Sequence, residues 1–129
     1  MMRERSSFEN VRLVERFLES VASALFGSAW FRVINFHVRR NKGKSLTELM
    51  FENPREAGYA VLAIIGGGKT QARLLENIFR NHLRKNLGGS IDEDLNELFE
   101  AIIKNDAEKT KEKLIKIAQE YIQVQLRRL

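Results

Sequence analysis

Apolar positions in this chain recur at i, i+3, i+4 and i+7, in blocks set apart by glycines or short polar turns. That spacing predicts helices. Over residues 7–26, Phe8, Val11, Val14, Phe17, Leu18, Val21, Ala22 and Leu25 make one broad apolar face, with Ser6 or Ser7 at the N-cap and Gly27 at the end. Residues 28–40 are mixed. Trp30, Val33, Ile34 and Val38 fit a helix opened by Ser28, yet the apolar β-formers also fit a strand; the capping serine and the helical neighbours favour helix. A polar turn about Gly43 follows. Ser45 with Glu48 three residues on then predicts a capping box opening a short helix, SLTELMFE.

Asn53 and Pro54 are a good N-cap and first helical residue, so a helix over 54–65 is expected, with Ala57, Ala60, Val61, Ile64 and Ile65 facing inward. Gly66-Gly67-Gly68 breaks it, and a helix over 69–86 carries Ala72, Leu75, Ile78, Phe79 and Leu83 in one stripe. Beyond Gly88-Gly89, Ser90 and Glu93 match a second capping box, and Ile91, Leu95, Leu98, Phe99 and Ile102 continue the period. Asn105-Asp106 is a turn. The last helix, 107–128, is apolar on two sides. Leu114, Ile117, Ala118, Tyr121 and Val124 form one stripe; Ile115, Ile122, Leu126 and Leu129 form the other. Two stripes mean a helix clasped between neighbours or shared with a second subunit. The expected fold is all-α, a single compact domain of about five to seven helices over residues 1–129. Residues 8–86 form its core, and a C-terminal helical hairpin at 90–129 packs on that core or on a second copy.

Composition narrows the class. Apolar residues make up 43% and charged residues 30%, a globular balance. The chain has no cysteine, which excludes disulfides and thiolate metal sites and fits a cytoplasmic protein. The longest apolar run, residues 59–65, is far short of a membrane span, and the N-terminal MMRERSSFENVRLVERF has no apolar core of a signal peptide. The net charge of +5 is segregated. Arg32, Arg39, Arg40, Lys42 and Lys44 stand without acids in 27–45, and Lys69, Arg73, Arg80, Arg84 and Lys85 stand against Glu76 in 69–86. The stretch 87–108 is acidic but for Lys104. Such blocks either bind an anionic surface or pair with one another within the fold or across a dimer.

Four signals bear on chemistry. Ala63 and Gly68-Lys69-Thr70 match a phosphate-binding loop read permissively, with Lys69 on the phosphates and Thr70 on magnesium. That loop needs a preceding buried strand, whereas Asn53-Pro54 starts a helix there, so a glycine connector between helices is the expectation. Helix 54–65, the glycine turn and helix 69–86 also have the order of a helix-turn-helix, with Lys69, Gln71, Arg73, Asn77 and Arg80 toward nucleic acid. Three glycines in a row are looser than the turn that motif uses. His37 and His82 have no acidic or imidazole residue at i±3 or i±4, so neither predicts a metal or catalytic site. Asp92, Glu93 and Asp94 suit the dipole of a helix N-terminus and lack the rhythm of a calcium loop.

The order of elements carries a resemblance. A helix ends at Gly27 and a basic-ended helix follows. Ser45-Leu46 and Leu49, the Phe51-Glu52-Asn53-Pro54 entry, an amphipathic helix, the turn at 66–68, and Leu74-Leu75 with Ile78 come next. Over residues 8–86 this resembles the Nitrosopumilus output domain, a small archaeal helical family; the triple glycine and residues 90–129 depart from its pattern. The resemblance implies an all-helical cytosolic domain that acts by contacting a partner, and it assigns no functional residue. The leading expectation is a non-enzymatic interaction domain without cofactor, metal or membrane. It would bind a protein partner or itself, with Ile115, Ile122, Leu126 and Leu129 as dimer interface. The alternative is nucleic-acid binding through residues 28–44 and 69–86, with Arg39, Arg40, Lys42, Lys44, Lys69, Arg73, Arg80 and Arg84 as contacts.

Overall fold

The computed structural model describes residues 7–129. Among them the chain forms seven helices and no strand: α1 Ser7–Phe26, α2 Trp30–Lys42, α3 Leu46–Glu52, α4 Pro54–Ile65, α5 Lys69–Leu87, α6 Ile91–Ile103 and α7 Ala107–Arg127. Residues 28–40 are therefore helical from Trp30 onward. Capping by Ser6 or by the Ser7 side chain lies outside what is described.

Helix ends follow the sequence only in part. At α3 the capping box is complete: Glu48 N–H donates to Ser45 Oγ at 3.1 Å, and Ser45 N–H donates to Glu48 Oε1 at 3.1 Å. The other three serine and asparagine caps differ. Ser28 does not cap α2; Ala29 occupies the N-cap position, and a tight turn from Gly27 carries the chain in, with Trp30 N–H on the Gly27 carbonyl. Ser90 makes no side-chain cap at α6, because the carbonyls of Gly88 and Gly89 already take the Ile91 and Asp92 N–H groups. Asn53 turns its amide to Glu56 Oε2 at 3.2 Å. A distant residue caps α4 instead: Asn105, in the α6–α7 turn, accepts from Arg55 N–H at 3.1 Å. The Arg55 guanidinium returns the contact, donating to the Ile103 carbonyl oxygen at 2.7 and 3.1 Å and so closing the C-terminal end of α6. This reciprocal clip ties the start of α4 to the end of α6.

Two apolar clusters meet along α1. The larger joins Val14, Phe17 and Val21 of α1 to Leu83 of α5, Leu95 and Leu98 of α6, and Leu114, Ile117 and Tyr121 of α7. Phe17 stands edge-on to Tyr121, with ring centres 5.3 Å apart, and to Phe79 at 6.0 Å. The smaller cluster packs Ala22 with Phe31, Ile34 and Val38 of α2, Leu46 and Leu49 of α3, and Ala57 of α4. The C-terminal hairpin α6–α7 is thus one wall of the larger core, seated on α1 and α3. Lys113 of α7 locks the hairpin, reaching Asp94 at 3.0 Å and Glu97 at 2.5 Å on α6, while Lys116 reaches Asp94 at 3.2 Å. Bonding to Glu97 and Asp94 raises the Lys113 ammonium above the usual lysine range. Burial works against the Asp94 charge, and the two lysines outweigh it, holding that carboxyl below its usual range.

Both apolar stripes of α7 are used inside the chain over most of its length. Ile115 and Ile122 pack half-buried against the larger core, and Ile122 also lines an open surface cleft with Leu126 and Leu129, so the fold brings three of the four residues expected at a dimer interface together, without Ile115. Only the end of the second stripe faces outward, with Leu126 59% and Leu129 98% exposed.

Candidate functional site

The packing is open between α4 and α5. Antiparallel helices joined by a short turn ordinarily pack along their length, but α4 and α5 share no such interface. The cause is local. Gly66 closes α4 in the left-handed conformation at φ 70°, and Gly67 N–H reaches back to the Leu62 carbonyl at 2.9 Å, a two-bond ending that turns the chain sharply. Gly68 N–H then bonds Gln71 Oε1 at 3.0 Å in the first turn of α5. The turn is tight and hydrogen-bonded, unlike the loose hinge expected of three glycines. It sends α5 away from α4 and down onto α1, α6 and α7.

The result is an apolar groove beneath the first half of α5. One part, about 220 Å³, lies between α1, α2 and α5, lined by Leu18, Leu25, Phe26, Trp30 and Phe79 among others. The second, about 360 Å³, lies between α4, α5 and α6, lined by Gly58, Tyr59, Leu62, Ala72, Ile102 and Ile103 with Arg55 at its end. Val61, Leu75, Glu76 and Phe99 border both parts and form the pinch between them. Leu83, one turn beyond Phe79, is the one fully buried side chain of α5. At the rim, Tyr59 is 65% and Ile103 67% exposed. Two wider clefts, about 740 and 750 Å³, open beside α2 and at the start of α1, but they gather no comparable set. Several of their polar groups are engaged: Lys42 pairs with Glu56, Lys44 with Glu52, Ser45 and Glu48 cap α3, and Lys111 lies 5.6 Å from the centre of the Phe51 ring.

The basic residues singled out from sequence are scattered by the fold. Lys42 and Lys44 are engaged with Glu56 and Glu52. Arg84 binds Asp92 at 2.9 Å, and Arg80 lies 3.9 Å from the same carboxylate with its guanidinium 5.3 Å from the Phe99 ring centre. Pairing of the 69–86 block with the acidic stretch is thus realised at Asp92, whereas the 27–45 block pairs with α3 and α4. Arg39, Arg40, Lys69 and Arg73 are exposed and carry no ion pair among the described residues. The pattern at Ala63 and Gly68-Lys69-Thr70 spans a helix end and a helix start, with no strand before it.

No group of three or more His, Asp or Glu side chains among the described residues could hold a metal. His82 faces α7, its Nε2 3.1 Å from Tyr121 Oη, and the Asn86 amide donates to the His82 carbonyl oxygen at 2.8 Å. Burial, then the charge of Lys85, lowers the His82 pKa below the ordinary value. His37 lies in the cleft between α2 and α4. No helix among the described residues is long and apolar enough to cross a membrane.

Comparison with known protein families, curated proteins and solved structures finds no match. Geometry alone therefore bears on function.

Proposed function

We propose that the chain is a non-enzymatic helical interaction domain that captures an apolar segment of a partner protein in the groove under α5. What supports this is the groove itself: large apolar side chains from α1, α2, α4, α5 and α6 are held around unfilled space, and Tyr59 and Ile103 extend that surface outward. Leaving such surface open in a small domain forgoes stability, which an occupant restores. The reading agrees with the partner-contacting role that the resemblance over residues 8–86 implies.

The test has two arms. Sedimentation velocity across a concentration series asks whether the occupant is a second copy. Panning the full chain against a displayed library of helical peptides asks whether the groove takes a foreign segment. The expected result is binders that lose at least about tenfold in affinity on Tyr59→Asp with Ile103→Asp, both rim positions, while circular dichroism is unchanged. Binders indifferent to those substitutions, or none at all, refute the docking surface. A dimer split by the same substitutions assigns the groove to self-association.

A nucleic-acid reading keeps one observation in its favour, the unpaired Arg39, Arg40, Lys69 and Arg73. It predicts duplex binding that falls steeply with salt. The helix-turn-helix form of it calls for α4 and α5 packed against each other, whereas the groove opens between them.

A further inference from the structure

Glu76 borders both parts of the groove and is the only acidic residue in either lining. No ion pair or hydrogen bond joins its carboxylate to another described residue. A carboxylate on a helix ordinarily finds a basic partner four residues on. Here that residue, Arg80, is drawn off to the Phe99 ring and Asp92. Arg55, the one cation in the linings, is committed to the Ile103 carbonyl. The fold thus leaves Glu76 half-buried and without a counter-ion, its side chain on a wall shared with Val61, Leu75 and Phe99.

Docking desolvates whatever lies in the groove. An occupant that brings no cation leaves the Glu76 charge buried and unpaired, a penalty that selects against it. An occupant that brings a cation flanked by apolar groups meets both the carboxylate and the two cavities. The walls are helices with no open sheet edge among the described residues, so a peptide cannot add as a strand; a helix laid in by its apolar stripe is the mode these walls allow. The cavities on either side of the Val61–Leu75 pinch each take one bulky anchor, and anchors on one helix face lie one or two turns apart with a third position between them. The net charge of +5 repels a polybasic tract, which leaves a single cation.

We infer that the groove recognises an amphipathic helix of a partner protein that carries one Lys or Arg between two bulky apolar anchors, with Glu76 selecting the cation. This rests on the groove being the docking surface. A library of helical peptides, randomised at the central and anchor positions, is panned against the full chain and against Glu76→Lys, with Glu76→Gln as the isosteric control. The natural chain enriches Lys or Arg at the centre. Glu76→Lys enriches Asp or Glu there, and Glu76→Gln weakens a labelled lysine clone by at least about tenfold. Rim-sensitive binders with no charge preference at the centre overturn this inference and leave the docking surface standing. Absence of rim-sensitive binders overturns both.

Discussion

If α5 is anchored at one end and bridges an open groove at the other, truncating its apolar side chains costs very different amounts along its length. Leu83 is fully enclosed in the larger core. Leu83→Ala removes three buried carbons, worth about 2.4 kcal/mol of transfer, and leaves a cavity among close-packed neighbours. The expected loss is about 3–4 kcal/mol, within the range for enclosed leucines. Leu75 is half-buried and already borders voids of about 220 and 360 Å³. Much of the packing that Leu75→Ala would forfeit is absent from the start, so about 1 kcal/mol is expected. Urea unfolding followed by circular dichroism reads the contrast directly. With a slope of about 1.5–2 kcal/mol per molar, Leu83→Ala moves the midpoint down by roughly 2 M and Leu75→Ala by about 0.5 M, the slope being unchanged. Amide exchange in α5 should then be fastest before residue 80 and slowest around Leu83. A midpoint shift for Leu75→Ala equal to that for Leu83→Ala would mean that α5 is packed along its whole length, and the groove with its proposed role would fall.

Two further outcomes follow from other parts of the fold. Because the folded-state pKa of His82 lies below its unfolded value of 6.5, the unfolded chain binds the proton more readily; stability is full above pH 6.5 and declines as pH falls through 6.5 toward the folded value. Unfolding measured between pH 7.5 and about 5 should show that decline, and His82→Asn should flatten it; an unchanged slope refutes the assignment. Asn105 combines a left-handed backbone, φ 58°, with the cap on Arg55 N–H, so Asn105→Gly should cost about 1 kcal/mol for the lost cap and Asn105→Ala roughly 1 kcal/mol more for backbone strain, read as melting temperatures.

The helices were legible because each carries its own periodic stripe, a local property. The stripe Ala72, Leu75, Phe79 and Leu83 marks the inner face of α5 without saying that only Leu83 is enclosed, since enclosure depends on where α4 leaves the chain. The capping box at Ser45 and Glu48 was legible for the same local reason. The caps of α2, α4 and α6 were not. At α2 and α6 a tight glycine turn supplies backbone carbonyls that make the serine unnecessary. At α4 the acceptor comes from Asn105, fifty residues away in sequence, and no window around Asn53 contains it. Glu76 shows the same limit at the candidate site. Its neighbours Arg73 and Arg80 predict a solvated, paired surface carboxylate, and only the positions of Phe99 and Asp92 reveal why Arg80 turns away.

The stretch that looks most like chemistry in the sequence has a structural consequence that explains both its composition and the groove. A Cβ on Gly67 would stand 2.7 Å from Gln71 Cβ, a separation at which the first turn of α5 must shift, and Gly66 holds a left-handed conformation that other residues enter at a cost. Both glycines are therefore required by the turn, without any phosphate to cradle. That turn fixes the direction in which α5 departs, and the departure is what separates α5 from α4. With α4 held at its other end by the Arg55 clip to Ile103 and Asn105, neither helix can close onto the other without breaking hydrogen bonds. The groove is then a consequence of two fixed ends rather than of slack packing, and a pre-formed cavity is what a binding surface needs if ordering costs are not to consume its affinity.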